Sequence, residues 1–162
     1  MTAAATRRMW MLVAPIVIVD QLTKHWALNR LSGGRTIDLV GSLRFNLAFN
    51  KGMAFSQAAG AGPVIGALGF VIVIVVVAWI RRSARGAAAV AASLIVGGAT
   101  GNLVDRLFRG DAWLRGAVVD FIDLQWFPVF NVADSAITVG AAMMMLAALG
   151  TPSGRRAESG DE

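Results

Sequence analysis

The chain has 162 residues, a formal net charge of +5, a hydrophobic fraction of 56% and a mean hydropathy of +0.63, which leaves room for one domain more apolar than a soluble one normally is. With no Cys, disulfides, thiolate catalysis and Cys-ligated metals are excluded, and a Ser-His-Asp triad or His-based zinc site would have to pass through His25, the single imidazole. The Lys and Arg residues fall at the ends of apolar segments rather than on one face, which suits lipid head groups and gives no reason to expect a nucleic-acid partner.

In chain order, Met9–Val19 is apolar but short, and it reaches spanning length only by continuing through Asp20, Gln21, Thr23 and Lys24. It is too polar at its far end for a signal-peptide core and no A-x-A site follows, so it reads as a first span with ionisable groups near its outer end. Pro15 is tolerable inside it when neighbours satisfy the freed carbonyl. The segment Asn29–Gln57 is not membrane-like. Leu43, Phe45, Leu47 and Phe49 alternate with Arg44, Asn46, Ala48 and Asn50, the period of a half-buried strand, and Gly33-Gly34 and Gly41-Ser42 supply turns on either side. Uncharged stretches at Ala58–Ile80, Gly86–Val104 and Ser135–Gly154 are each long enough to span a bilayer as helices. Trp113, Trp126 and Phe127, between the last two, suit an interfacial aromatic belt.

The expected fold class is therefore an all-α membrane protein of four transmembrane helices, with a small extracytoplasmic β-sheet between the first and second spans. It forms one domain over 1–162, with approximate spans 9–28, 60–80, 86–104 and 132–150, a β-rich region 33–56 and a disordered tail 152–162. Positive charge does not orient it cleanly. Arg7, Arg8, Arg81, Arg82, Arg85, Arg155 and Arg156 on one side match Arg30, Arg35, Arg44, Lys51, Arg106, Arg109 and Arg115 on the other. The first set is packed against span ends without acids, which leans towards cytoplasmic termini.

Five aspartates at or near the ends of hydrophobic segments carry the functional question, because a carboxylate beside or within a bilayer costs several kcal/mol unless compensated. Asp20 and Lys24 stand four apart on one helix face, and an i,i+4 ion pair explains them better than catalysis. In Asn50–Phe55 a turn accounts for Asn50 and Gly52, although Asn50 can also offer its amide to a substrate backbone and Phe55 can dip into lipid. Gly97 and Gly101 have the spacing of close helix packing, and Asn102 is a span amide in need of partners. Asp105 with Arg106 reads as an interfacial salt bridge in a supporting role. Asp120 follows Val118-Val119 and is a deeper candidate than Asp123, which a solvated loop charge explains. Asn131 and Asp134 resemble a capping box, enough by itself to explain Asp134.

The pair alters that balance. Asp120 and Asp134 lie fourteen positions apart, on either side of a loop rich in Trp and Phe, and would share one depth on one side of the membrane. Two carboxylates brought close share a proton, so that one serves as base on a water and the other as acid. Such a dyad needs no Cys, His, metal or cofactor.

Taken together, D-Q-L-T-K (Asp20–Lys24), N-K-G-M-A-F (Asn50–Phe55), G-G-A-T-G-N-L-V-D-R (Gly97–Arg106), G-A-V-V-D-F (Gly116–Phe121) and F-N-V-A-D-S-A-I-T-V-G (Phe130–Gly140) resemble, in order, the motifs of the bacterial lipoprotein signal peptidases, signal peptidase II. The resemblance implies a four-span aspartic endopeptidase of the bacterial inner membrane, both termini cytoplasmic and the site extracytoplasmic. Its substrate would be a prolipoprotein carrying diacylglycerol on the lipobox Cys, cleaved just before that Cys. It implies Asp120 and Asp134 as the catalytic pair, Asn50, Asn102, Arg106 and Asn131 as residues that line or order the site, and Asp20, Lys24 and Asp105 as support. Membrane lipids are the expected surroundings and a monomer the expected state. One departure lies in Leu107–Arg115, longer than the family pattern, and in the shorter connection from Asp120 to Asp134.

Two other classes compete. A small proton-coupled transporter also uses membrane carboxylates, but these normally lie near the bilayer midplane, whereas here the middles of the last three spans hold no charge. A Ser-Lys peptidase, with Ser56 or Ser135 and Lys24 or Lys51, is permitted by composition without support from spacing.

Overall fold

The computed structural model describes residues 3–52, 62–82 and 86–149. Phe55 and Ser56, the opening of the expected second span before 62, Arg85, and the C-terminal tail lie outside them. Four helices and three strands follow in the order α1 (Ala3–Leu31), β1 (Thr36–Val40), β2 (Leu43–Asn50), α2 (Gly62–Arg82), α3 (Gly86–Phe108), β3 (Val118–Asp123) and α4 (Val132–Leu149).

Among the described residues, three helices are long and apolar enough to cross a membrane: Pro63–Arg82, Gly86–Phe108 and Val132–Leu149. Among them α3 is central, with 44% of its apolar window buried against 11% for α2 and α4. Its sequence explains this position. Small residues let neighbouring backbones come close, which drives helix association where lipid removes the hydrophobic force between helices. A Cβ added at Gly98 would strike the Ala133 carbonyl of α4, and one at Gly140 would sit 2.6 Å from the Ala91 carbonyl of α3. Gly97 faces Ile16 of α1. The Gly97/Gly101 spacing is thus a packing surface, as its pattern indicates.

Helix α1 spans 29 residues with Pro15 inside it. Its buried side chains are Met9, Val13, Asp20, Lys24, Ala27 and Leu31, a stripe at three- and four-residue intervals. The ionisable pair lies on the packing face rather than on the rim. Met9 and Val13 join Ile80, Ala92 and Val96 in one core cluster. At the other end, Ala27 and Leu31 join Phe121, with Phe45, Leu47 and Ile122 packed against them, so the sheet sits on the end of α1. Trp26 meets Phe45 edge-on, ring centroids 5.2 Å apart.

The sheet is antiparallel in the order β1-β2-β3. Its third strand corrects the expectation of a sheet contained between the first two spans. Val118–Asp123 pairs with β2, Asn50 opposite Val118 and Ala48 opposite Asp120. The run V-V-D-F-I-D carries β-branched and aromatic residues without alternation, as a strand covered on both faces does, and five of its six residues are buried. Strand β2 also departs from a clean two-faced pattern. A register shift between Phe45 and Ala48 twists it, and all of its residues except the exposed Phe49 are half-buried.

Candidate active site

The site forms where β3, the start of α4 and the C-terminal ends of α1 and α3 meet. Asp120 lies mid-strand on β3, almost wholly buried. Asp134 lies in the first turn of α4. Asn131, at the head of α4, touches both. Its Nδ2 donates to Asp120 Oδ1 at 2.6 Å, and its backbone N–H donates to Asp134 Oδ2 at 3.2 Å. Its own Oδ1 accepts the Asp134 N–H at 2.9 Å. That reciprocal pair is the capping box the sequence suggests. The cap and the bridge between acids are the same residue, so the structural reading of Asp134 and the chemical one coexist.

Burial, and after it the charge of Asp134, raise the Asp120 carboxyl from its ordinary 3.8 to about 6, against hydrogen bonds from Asn131 and Asn50 that favour the charged form. Asn102 on α3 completes the set. It donates from Nδ2 to Asp134 Oδ1 at 2.8 Å and accepts at Oδ1 from Lys24 Nζ at 2.9 Å and from Asn131 Nδ2 at 3.2 Å.

Beneath this layer lies a buried ion cluster. Lys24 Nζ is 2.9 Å from Asp20 Oδ2 and 2.8 Å from Asp105 Oδ2, all three side chains being inaccessible to solvent. Asp20 Oδ1 accepts the N–H of Ala133 at 2.9 Å, one of the free donors at the start of α4. Asp105 Oδ2 accepts the N–H of Val119 at 3.1 Å, which fixes β3 one residue before Asp120. Arg109 Nε donates to Asp105 Oδ1 at 2.6 Å, making two acids and two bases. This cluster ties α1, α3, α4 and β3 together, so the supporting residues act on the register of the two acids.

The structure redistributes some expected pairings. Asp105 pairs with Lys24 and Arg109, not with Arg106, because residues adjacent on a helix point in different directions whereas i and i+4 share a face. Arg106 turns instead into a cavity, and its Nη1 is buried without a hydrogen-bond partner. Gln21 and Arg109 are working members that the sequence reading passes over. Gln21 Nε2 bonds Asp20, the Gly101 carbonyl and Asp105, and its Oε1 accepts from Arg109. Arg109 stands four residues after Asp105, the same spacing that identifies Asp20 with Lys24, and that spacing is the signal for it. Asp123 serves the sheet, since Arg44 bonds it at 2.8 Å across β2–β3, and this hydrogen bond holds its carboxyl below the ordinary range. Ser135 donates its hydroxyl to the Asn131 carbonyl, inside its own helix turn. Among the described residues, no group of three or more His, Cys, Asp or Glu is placed to hold a metal ion.

A cavity of about 320 Å³ opens on this site between α2 and α3. Asn50, Asn102, Arg106 and Asp134 form its polar end, and Ile72, Ile95 and Leu103 are among the apolar side chains that line the rest. An apolar slot ending in a carboxylate suits an apolar chain carrying one polar bond to be broken.

Comparison with known proteins shows the family and the fold. The family described as signal peptidase (SPase) II matches residues 12–150. A lipoprotein signal peptidase of Mycobacterium leprae is 39% identical over 83% of this chain and 68% of its own length. Those of Mycolicibacterium smegmatis and Mycobacterium tuberculosis are 40% and 38% identical over 88% of this chain, and over 61% and 73% of their own lengths. A bacterial membrane enzyme solved in meso at 2.3 Å superposes with a TM-score of 0.80 at 28% identity, covering 95% of this chain and 94% of that one. A second, solved at 1.9 Å, gives 0.77 at 29% identity over 88% and 93%.

Proposed function

This chain belongs to the lipoprotein signal peptidase (signal peptidase II) family, membrane hydrolases that remove signal peptides from prolipoproteins, and on that premise we propose that Asp120 and Asp134 are its catalytic pair. The observation that carries the reading is Asn131 bonded to both carboxyls, with Asp134 at the polar end of an apolar cavity. Asn50, Asn102 and Arg106 line that cavity beside Asp134 and meet the substrate, while Asp20, Lys24 and Asp105 hold the elements in register.

The substrate is a prolipoprotein with diacylglycerol on the lipobox Cys, its signal helix lying against α2 and α3 and its scissile bond, just before that Cys, reaching the dyad. One aspartate, ionised, takes a proton from water as the water oxygen attacks the scissile carbonyl carbon. The other, protonated, gives its proton to the carbonyl oxygen, leaving a neutral gem-diol. On collapse, a gem-diol hydroxyl returns a proton to the second aspartate, and the first passes its proton to the leaving nitrogen. The C–N bond breaks to a carboxylic acid and an amine, and the pair is restored. Burial that raises Asp120 supports this proton sharing.

Helix α1 is the fourth span in this reading. At 29 residues it is about 44 Å long, ample for a bilayer, with its ionisable residues paired inside the bundle instead of facing lipid. The chain is one domain and acts as a monomer. Both termini are cytoplasmic, and the sheet and dyad lie together at the extracytoplasmic surface of the bacterial inner membrane. Asp120→Asn and Asp134→Asn are each expected to abolish cleavage of a diacylglyceryl-modified prolipoprotein while the protein stays folded. Near-normal cleavage by either variant overturns the assignment.

A further inference from the structure

The reaction needs one carboxyl of the pair charged and the other protonated, and the surroundings of the pair distinguish them. Lys24 Nζ has three N–H groups and three acceptors: Asp20 Oδ2, Asp105 Oδ2 and Asn102 Oδ1, at 2.9, 2.8 and 2.9 Å. An ammonium accepts nothing, so Asn102 must turn its oxygen towards Lys24. The Asn131 amide donates to that same oxygen at 3.2 Å. With its oxygen fixed, Asn102 has only its NH₂ left for Asp134 Oδ1, 2.8 Å away. The amide's orientation is set by the chemistry of its partners.

Asp134 therefore receives a donor on each oxygen, from Asn102 on Oδ1 and from the Asn131 N–H on Oδ2, at the positive end of α4. Both of its oxygens thus face N–H groups, and the helix N-terminus adds a third positive dipole behind them. Asp120 also accepts from the Asn131 and Asn50 amides, but it is buried in a sheet strand without a helix end behind it. The charged groups facing this pair are Asp20 and Lys24 from α1 and Asp105 and Arg106 from α3, with Asp120 itself on β3 and Asp134 on α4.

We propose that Lys24 is a positioning residue for the reaction: acting through Asn102, it fixes Asp134 as the carboxylate that takes the proton from water and leaves Asp120 as the acid that protonates the carbonyl. This rests on the dyad reading above and assigns a role to each acid within it. The ammonium also polarises the Asn102 amide, strengthening the bond it donates to Asp134.

Asn102→Asp tests this with little change in volume. Lys24 holds one oxygen of the introduced carboxyl, and the other then opposes Asp134 Oδ1, acceptor against acceptor, until a proton is added between them. Cleavage of a diacylglyceryl-modified prolipoprotein in detergent micelles should fall on the order of a hundredfold at about pH 7.5. It should recover to within about tenfold of the unsubstituted protein near about pH 5, where the introduced carboxyl is protonated and donates as the amide did. A loss of the same size at every pH means that Asn102 only fills space, and overturns the proposal. Lys24 is tested in Asp20→Asn/Lys24→Gln, which keeps the net charge of the cluster. Because glutamine presents either a donor or an acceptor, kcat should fall by about tenfold or more with KM within about twofold; an unchanged kcat overturns the role of Lys24. Should that double variant fail to fold, the Asn102→Asp profile decides alone. Asp120→Asn and Asp134→Asn in the same assay separate the two ideas. If either cleaves, the dyad reading fails. If both are inactive and Asn102→Asp keeps the unsubstituted pH profile, only the present inference fails.

Discussion

Asp120 should make the protein less stable at the pH where it is charged. Its carboxyl titrates at about 6 in the folded chain against an ordinary 3.8. The folded state therefore holds the proton more tightly than the unfolded state does. The sign follows: stability is full below about pH 4 and is lost as pH rises through about 6. A shift of about two units at about 1.4 kcal/mol each gives about 3 kcal/mol lost above about pH 6. Asp120→Asn cannot ionise, and its amide oxygen can still accept the Asn131 bond that Asp120 Oδ1 accepts now. This variant should thus be the more stable protein at about pH 8, by up to about 3 kcal/mol, and no more stable than the parent at about pH 4. For a chain of this size that is roughly 6–12 °C in thermal midpoint. Thermal unfolding in detergent micelles at several pH values measures it. A stability difference that does not change with pH, or a variant less stable at about pH 8, refutes the argument that burial and Asp134 raise this carboxyl.

Two further outcomes follow from the same geometry. The kcat/KM of the unsubstituted protein should fall about tenfold per pH unit above about 6, as the pair loses its shared proton, and a flat profile from about pH 5 to 8 would contradict this. Gly101→Ala would put a methyl 2.6 Å from Asp20 Oδ2. Moving that carboxylate off Lys24 disturbs a buried charge pair, so thermal stability should drop by roughly 3 kcal/mol or more and cleavage should fall with it; a variant as stable as the parent would show that the cluster yields freely.

The parts of this protein that were legible in sequence are those whose cause is local. The i,i+4 pairing of Asp20 with Lys24, the capping box of Asn131 and Asp134, and the turns at Gly41 and Gly52 each need only a few residues. The alternation of Leu43–Asn50 marked a strand because period two is a local pattern. What was missed depends on partners far along the chain. Val118–Asp123 is a strand because β2 lies beside it, and its unbroken burial removed the alternation that would have announced it. Adjacency in sequence pairs Asp105 with Arg106, yet Lys24, some eighty positions earlier, neutralises it. No periodicity in α1 signals that Asp20 caps α4 through the Ala133 N–H, a contact across 113 positions. The motif set names residues that the fold gathers in one place, while the links among them belong to the fold.

The uneven attachment of the helices has a mechanical consequence. Among the described residues, no side-chain hydrogen bond or ion pair joins α2 to the rest of the protein, and it leans mainly on α3 across Gly66 and Gly69. Tilting α2 outwards strips no charge of its partner, and lipid tails replace the apolar contacts it gives up at little cost. The same movement of α1 against α3 would have to pull apart the Asp20–Lys24–Asp105 cluster, and that of α4 would break the Ala133–Asp20 and Asn102–Asp134 hydrogen bonds. The protein thus combines a frame cross-linked by buried charge with one helix that apolar contact alone holds in place.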